Sequence, residues 1–150
     1  EKRIHILLEE LTDLREQTKK FERARASTQT EELKKSAEKI GETFIINAVV
    51  QDTDQAGLKV IADQLRSDLK QTVVLLATVR NGQVSFLCTV SHELVEQGLN
   101  AGDIVRSVAK IAGGGGGGRP ELAEAGGGDA SQLTNALKHG KDLITEALNK

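Results

Sequence analysis

The 150-residue chain has no Trp, Tyr or Met, three Phe, one Pro and one Cys. Each scarcity removes a class of function. Without Trp or Tyr, an aromatic platform on which bases stack, as many single-strand binders use, is not to be expected. One cysteine excludes a disulfide framework. A formal net charge of −2 excludes a histone-like or strongly polybasic nucleic-acid binder. The longest apolar stretches, Phe44 to Val50 and Val73 to Val79, are far short of a membrane span, so no membrane partner is expected. There is no initiator Met and no signal peptide, and the chain opens inside a charged, periodic stretch. It reads as a piece of a longer protein, with one small domain or a domain plus an appendage.

What is present is unevenly spread. Residues 1–40 hold 10 Lys/Arg and 9 Asp/Glu with no Gly or Pro, whereas 41–150 hold all 15 glycines. This step near Gly41 sets a predicted boundary between a helical arm, 1–41, and a globular lobe, 42–150. Ile4, Leu7, Leu11, Leu14, Thr18 and Phe21 follow an a/d seam over about three heptads. Ser27 to Thr30 predicts a turn, with Thr30 as N-cap of a second helix running to about Lys39 and ended by Gly41. The apolar seam needs a partner: either the rest of the parent chain or a second copy in a coiled coil.

The lobe alternates strand and helix signals. Thr43 to Val50 reads as a buried strand. Leu58, Ile61, Leu65 and Leu69 mark one face of a helix. Val73 to Arg80 and Gln83 to Val90 read as two strands joined by Asn81-Gly82, a pair suited to the positive φ angles of a type I′ turn. Ser91 is expected to cap a short helix ended by Gly98, and Asp103 to cap another carrying Ile104, Val105, Val108 and Ile111. Asp129 or Ser131 should start a terminal helix. The predicted order is α-α-β-α-β-β-α-α-loop-α. The fold class is α/β (α+β): a small mixed sheet packed by helices, with an N-terminal helical or coiled-coil arm.

Residues 113–128 read GGGGGGRPELAEAGGG. Six consecutive glycines cost on the order of 1 kcal/mol each beyond alanine if ordered. A flexible linker is one reading. The other is a backbone surface that approaches a ligand closely, with main-chain N–H groups unobstructed by any Cβ. The run follows a well-patterned helix without a serine and leads into Arg119-Pro120, which favours an ordered, functional loop. Arg106 and Lys110 lie one turn apart on the entering helix. Lys138, His139 and Lys141 on the last helix could add to a basic patch. No Lys-Ser/Thr follows the glycines and no strand precedes them, which excludes a Walker loop and a dinucleotide fingerprint.

The string GGGGGGRPELAEAGG closely resembles the glycine-rich signature of the C-terminal (C-Ala, DHHA1-type) domain of alanyl-tRNA synthetases. The likeness extends through VVLLATVRNGQVSFLCTVS, the helix AGDIVRSVAKIA and the charged arm, and so covers the whole chain. The resemblance implies a non-catalytic tRNA-binding module that contacts the outer corner of the L-shaped tRNA and helps couple aminoacylation with editing. It carries RNA contact to Gly113, Gly114, Gly115, Gly116, Gly117, Gly118 and Arg119; Lys110 and Arg106 are added on electrostatic grounds. Similar lobes serve DHH phosphoesterases as oligonucleotide-holding accessories, where a His commonly follows the glycines; Arg119 stands there in this chain. Expected partners are tRNA, the parent synthetase domains and another copy through the arm, with DNA open; the expected compartment is the cytoplasm. The alternatives are an oligomerisation or docking module and a phosphoesterase accessory lobe.

Other chemistry is poorly supported. His5, His92 and His139 lie in separate elements without metal spacing to Cys88, so no metal or cofactor is expected. Cys88 sits in an apolar strand and reads as a small hydrophobe. Valine at Gly115 and Gly116 is expected to weaken tRNA binding and leave the lobe folded.

Overall fold

The two apolar stretches of the lobe become adjacent parallel strands. The computed structural model describes residues 9–17, 29–51 and 53–149. Its elements are β1 (Glu38–Ile40), β2 (Thr43–Val49), α1 (Gln55–Asp68), β3 (Thr72–Arg80), β4 (Gln83–Val90), α2 (His92–Glu96), α3 (Ala101–Ala112), β5 (Gly115–Gly118), β6 (Leu122–Gly126) and α4 (Leu133–Leu148). The six strands form one mixed sheet in the order β1-β2-β3-β4-β6-β5. Only β2 and β3 run parallel, joined by α1 as the crossover that parallel pairing requires.

Helices cover both faces of the sheet. α3 and α4 bury one face, where Ile45, Val73, Leu75, Phe86 and Cys88 meet Val105, Val108, Ala136 and Ile144. α1 buries the other through Leu58, Ile61 and Leu65 against Ile46, Val74, Leu76 and Leu87. A central strand between two layers must be apolar on both sides, and Thr72 to Thr78 is buried at every position. α4 crosses β3 so closely that a Cβ on Gly140 would overlap the Leu75 and Val108 side chains. Asn81 (φ 54°) and Gly82 (φ 77°) make the expected tight turn between β3 and β4.

Several local expectations are corrected. The helix expected to run to Lys39 ends at Ser36, and Glu38–Ile40 pairs instead with β2. Gly41 (φ 62°) turns that hairpin, which brings Glu38, Lys39 and Ile40 into register with Ile45, Phe44 and Thr43, a pairing that a helix end would not supply. Thr30 lies inside the helix, and its hydroxyl donates to Gln64 Oε1 of α1 at 2.8 Å, so it is a tether and not a cap. Ser91 occupies the cap position of α2, yet its Oγ accepts from the Thr72 amide at 3.3 Å. The cap of α3 is Asn100, accepting from the Asp103 amide at 3.2 Å; Asp103 stands in the first turn. Asp129 caps a 3₁₀ turn, Ala130–Gln132, that leads into α4.

Of the predicted seam, Leu11 and Leu14 lie in a helical stretch, 9–17, and are 51% and 60% exposed. Ile4, Leu7, Thr18, Phe21 and the turn at Ser27-Thr28 fall outside the described residues.

Candidate nucleic-acid interface

The glycine run is neither a loop nor a linker: it is the outermost strand of the sheet. The predicted order had a loop here, and the correction has a clear physical origin. Glycine carries no strand propensity of its own, so the pairing comes from its surroundings. α3 ends on Gly113 (φ 86°), whose amide donates to Lys110 O while the Gly114 amide donates to Ala109 O at 2.8 Å. This Schellman closure turns the chain back along its own helix. Gly115 to Gly118 then pair antiparallel with Gly126 to Ala123, and β6 pairs in turn with β4.

The turn between β5 and β6 is anchored on three sides. The Arg119 amide donates to Leu122 O at 2.9 Å, the Ala101 amide to Pro120 O at 2.9 Å, and the Val90 amide to Glu121 O at 3.0 Å. Antiparallel bonding alternates along a ladder. With Arg119 bonded to Leu122, Gly117 and Gly115 bond to β6, and Gly116 and Gly118 turn their main-chain groups away from it. The Gly118 carbonyl lies against Gly102 of α3, where an added Cβ would come within 3.0 Å of it. The N–H groups of Gly116 and Gly118 and the carbonyl of Gly116 therefore face the open edge.

The run divides into two sets by what a side chain would meet. A Cβ on Gly114 would stand 2.6 Å from the Gly126 and Gly127 carbonyl oxygens, and one on Gly118 2.7 Å from the Ala123 Cα. A Cβ on Gly116 would overlap the backbone of Ala125 and Glu124. By contrast, one on Gly115 would meet nothing within 4 Å, and one on Gly117 would meet only the Arg106 guanidinium at 3.3 Å. The even positions are glycine because β6 leaves no room. The odd positions have room and are glycine all the same. This corrects the expectation that valine at Gly116 leaves the lobe folded; Gly115 is the position that tests the surface.

The structure brings Arg106 to the strand and leaves the last helix's basic residues away from it. Arg106 reaches over Gly117 while its Nη1 stays 3.5 Å from Asp103 Oδ1. Lys110 is exposed one turn further along α3, and Arg119 is exposed at the hairpin turn. Lys141 instead bonds Glu38 of β1 at 2.6 Å, at the opposite edge of the sheet. Lys138 and His139 directly follow Leu137, whose carbonyl accepts from Asn47 Nδ2 of β2 at 2.8 Å, separated from β6 and β5 by β3 and β4 in the sheet order.

Sequence reasoning missed Asp103 as the partner of Arg106, although a carboxylate three residues before an arginine on a helix is a recognisable pair. It also missed the tie between the hairpin turn and α2, where Glu121 Oε1 is 3.3 Å from His92 Nδ1. Cys88 is fully buried, and burial pushes its thiol up to about 12, so it is an inert packing group. His92 faces Glu96 and Glu121.

A strand edge of bare amides beside a guanidinium suits a ligand rich in anionic or hydroxyl oxygens. Comparison with known proteins places the chain in a family. The model of the DHHA1 domain matches residues 41–146. The chain is 36% identical over 146 residues to an alanine–tRNA ligase of Trichodesmium erythraeum, covering 97% of this chain and 17% of that protein. It is 36% identical over 137 residues to that of Geobacillus thermodenitrificans, covering 91% and 16%. The chain thus spans about one-sixth of the length of these relatives. Among solved structures it resembles the C-Ala domain of Aquifex aeolicus alanyl-tRNA synthetase, with 31% identity, a TM-score of 0.64, and coverage of 76% of this chain and 98% of that one.

Proposed function

The chain belongs to the DHHA1 family as a C-Ala domain of the alanyl-tRNA synthetase type, and on that footing we propose that it is a non-catalytic tRNA-binding appendage. Its ligand is the outer corner of a folded tRNA, held on β5. The observation that carries this reading is the exposed four-glycine edge, with Gly115 and Gly117 bare where side chains would fit and Arg106 against Gly117.

The mechanism is positional. The amides of Gly116 and Gly118 offer donors to phosphate or ribose oxygens, and no Cβ keeps the RNA backbone at a distance. Arg106, Lys110 and Arg119 supply charge along the path. Gly113 and Gly114 turn the chain, so their part is to place the strand. Recognition by main-chain groups reads shape more than base identity. In the parent ligase the domain holds the tRNA by its elbow while the acceptor end visits aminoacylation and editing sites, and it acts in the cytoplasm where tRNA is charged.

The test is a titration of the domain with folded tRNA at rising salt, with an elbow-disrupted tRNA and a DNA duplex as competitors. The expected result is preference for the intact elbow and a log–log salt slope of roughly −3, as three or four phosphates are neutralised. Equal competition by the disrupted tRNA would overturn elbow recognition. A second reading, self-association through the arm, draws on the exposure of Leu11 and Leu14. Sedimentation at high micromolar concentration decides it: a monomer excludes it.

A further inference from the structure

A groove of about 380 Å³ opens beyond the hairpin turn, lined by Asp63, Arg66, Ser67 and Lys70 of α1 and its C-terminal flank and by His92 and Glu93 of α2. It adjoins the hairpin turn that closes the candidate interface. His92 at its rim is 3.3 Å from Glu121 of the β5–β6 turn, and the Val90 amide binds that turn's Glu121 carbonyl.

The groove's two cations belong, with Lys59, Lys110, Arg119 and Lys138, to the set that makes no ion pair among the described residues. Lys34, Arg80, Arg106 and Lys141 each sit within 4.0 Å of a carboxylate. Arg66 and Lys70 make no ion pair among the described residues, although Asp63 and Glu93 line the same groove and Asp63 stands three residues from Arg66. Arg66 lies in the last turn of α1 and Lys70 just beyond its extended C-cap, Leu69, so both cations line the groove from one end of that helix. Left unpaired, they form a two-point site for an anion. Two carboxylates and the Ser67 hydroxyl beside them make the site a poor one for a bare anion. They suit a ligand that brings anionic oxygens and hydroxyl donors together.

We propose that the groove is a second RNA contact, which takes a ribose–phosphate segment leaving the hairpin turn. Arg66 and Lys70 hold phosphate oxygens, and Asp63 and Glu93 accept from 2′-hydroxyls. The carboxylates make the contact selective for RNA over DNA, because only ribose supplies the donor. The inference rests on the tRNA reading of β5 and extends it from an edge to a path around the end of the sheet.

The experiment compares three forms of the domain in tRNA titrations across a salt series: wild type, Arg66→Gln/Lys70→Gln, and Arg106→Gln. The expected result for the double variant is a salt slope shallower by about 1.5 and an affinity about tenfold lower at low salt. Lys70→Gln alone, at an exposed position, should give about half that change, which guards against misfolding of the pair. Arg66→Lys should keep the wild-type slope. An unchanged slope in the double variant, with Arg106→Gln weakened, overturns the groove and leaves the β5 reading standing. Absence of tRNA binding by wild type overturns the β5 reading and the groove with it. Asp63→Asn/Glu93→Gln should narrow the preference for an RNA duplex over DNA of the same sequence; an unaltered ratio removes the 2′-hydroxyl role.

Discussion

The two edges of the sheet solve the same problem in opposite ways. An unpaired strand edge invites other chains, and proteins blunt such edges with short strands, charges and covering side chains. β1 does this: three residues long, it carries Glu38 held by Lys141 at 2.6 Å, and Lys39 Nζ sits 5.5 Å from the centre of the Phe44 ring. β5 has four glycines and no side chain at all. Its edge is left bare at a conformational cost of roughly 0.5–1 kcal/mol per glycine relative to alanine. Backbone anchors offset that cost: the Schellman closure at Gly113, the turn bonds to Ala101 and Val90, and the ladder to β6. On the proposed tRNA reading, the bare edge is the surface that meets the ligand, whereas the guarded edge is a boundary.

The sharpest break in the comparison is Gly116→Val. Its Cβ would overlap the backbone of Ala125, so the hairpin must open or shift. A loss of about 2 kcal/mol or more is expected in chemical denaturation, with amide-exchange protection lost first in 115–126. Gly115→Val occupies open space and separates surface from packing. It should melt like wild type, within about 1 kcal/mol, and bind tRNA about tenfold more weakly; unchanged affinity would take the odd face of β5 out of the interface. Arg106→Gln should lower the salt slope by about 1 with no change in melting temperature.

At the guarded edge, Lys141→Ala removes a half-exposed ion pair and should cost no more than about 1 kcal/mol, with tRNA affinity unchanged. The smallest effect is acid dependence at Asp129. The Ser131 amide, then its side chain, holds this carboxyl below its ordinary value. A depressed folded-state pKa gives a contribution that is complete above the ordinary carboxylate range and fades as pH falls through the lowered value. Asp129→Asn should remove that portion of the acid limb of a melting-temperature profile and leave the neutral plateau slightly lower.

Much of the lobe was legible because local chemistry and burial agree. Asn81-Gly82 can hardly be anything but a tight turn, and a run such as Val73 to Ala77 fits a strand covered on both faces. Legibility failed where neighbours decide. Glu38–Ile40 is as compatible with a helix end as with a strand, and Gly41 serves either; pairing with β2 settles it. Asn100 and Asp103 are both good caps, and the bond from the Ala101 amide to Pro120, nineteen residues away, selects the first. Within the candidate site, Arg106 and the glycines could be named in advance. The division of Gly114 to Gly118 into crowded and open positions could not, because it depends on which β6 atoms lie across the ladder.

By itself the sequence determined the mixed sheet's central strands, the helices that cover it, the absence of an aromatic platform and the family signature in GGGGGGRPELAEAGG. Those features rest on period, composition and turn chemistry, all of them local. Only the tertiary structure decided that the glycines form an edge strand, that Arg106 lies on Gly117 while Lys141 guards the far edge, and that Arg66 and Lys70 open beside the hairpin turn. Glycine has no side chain with which to announce a partner, so its pairing is set by the elements that close around it.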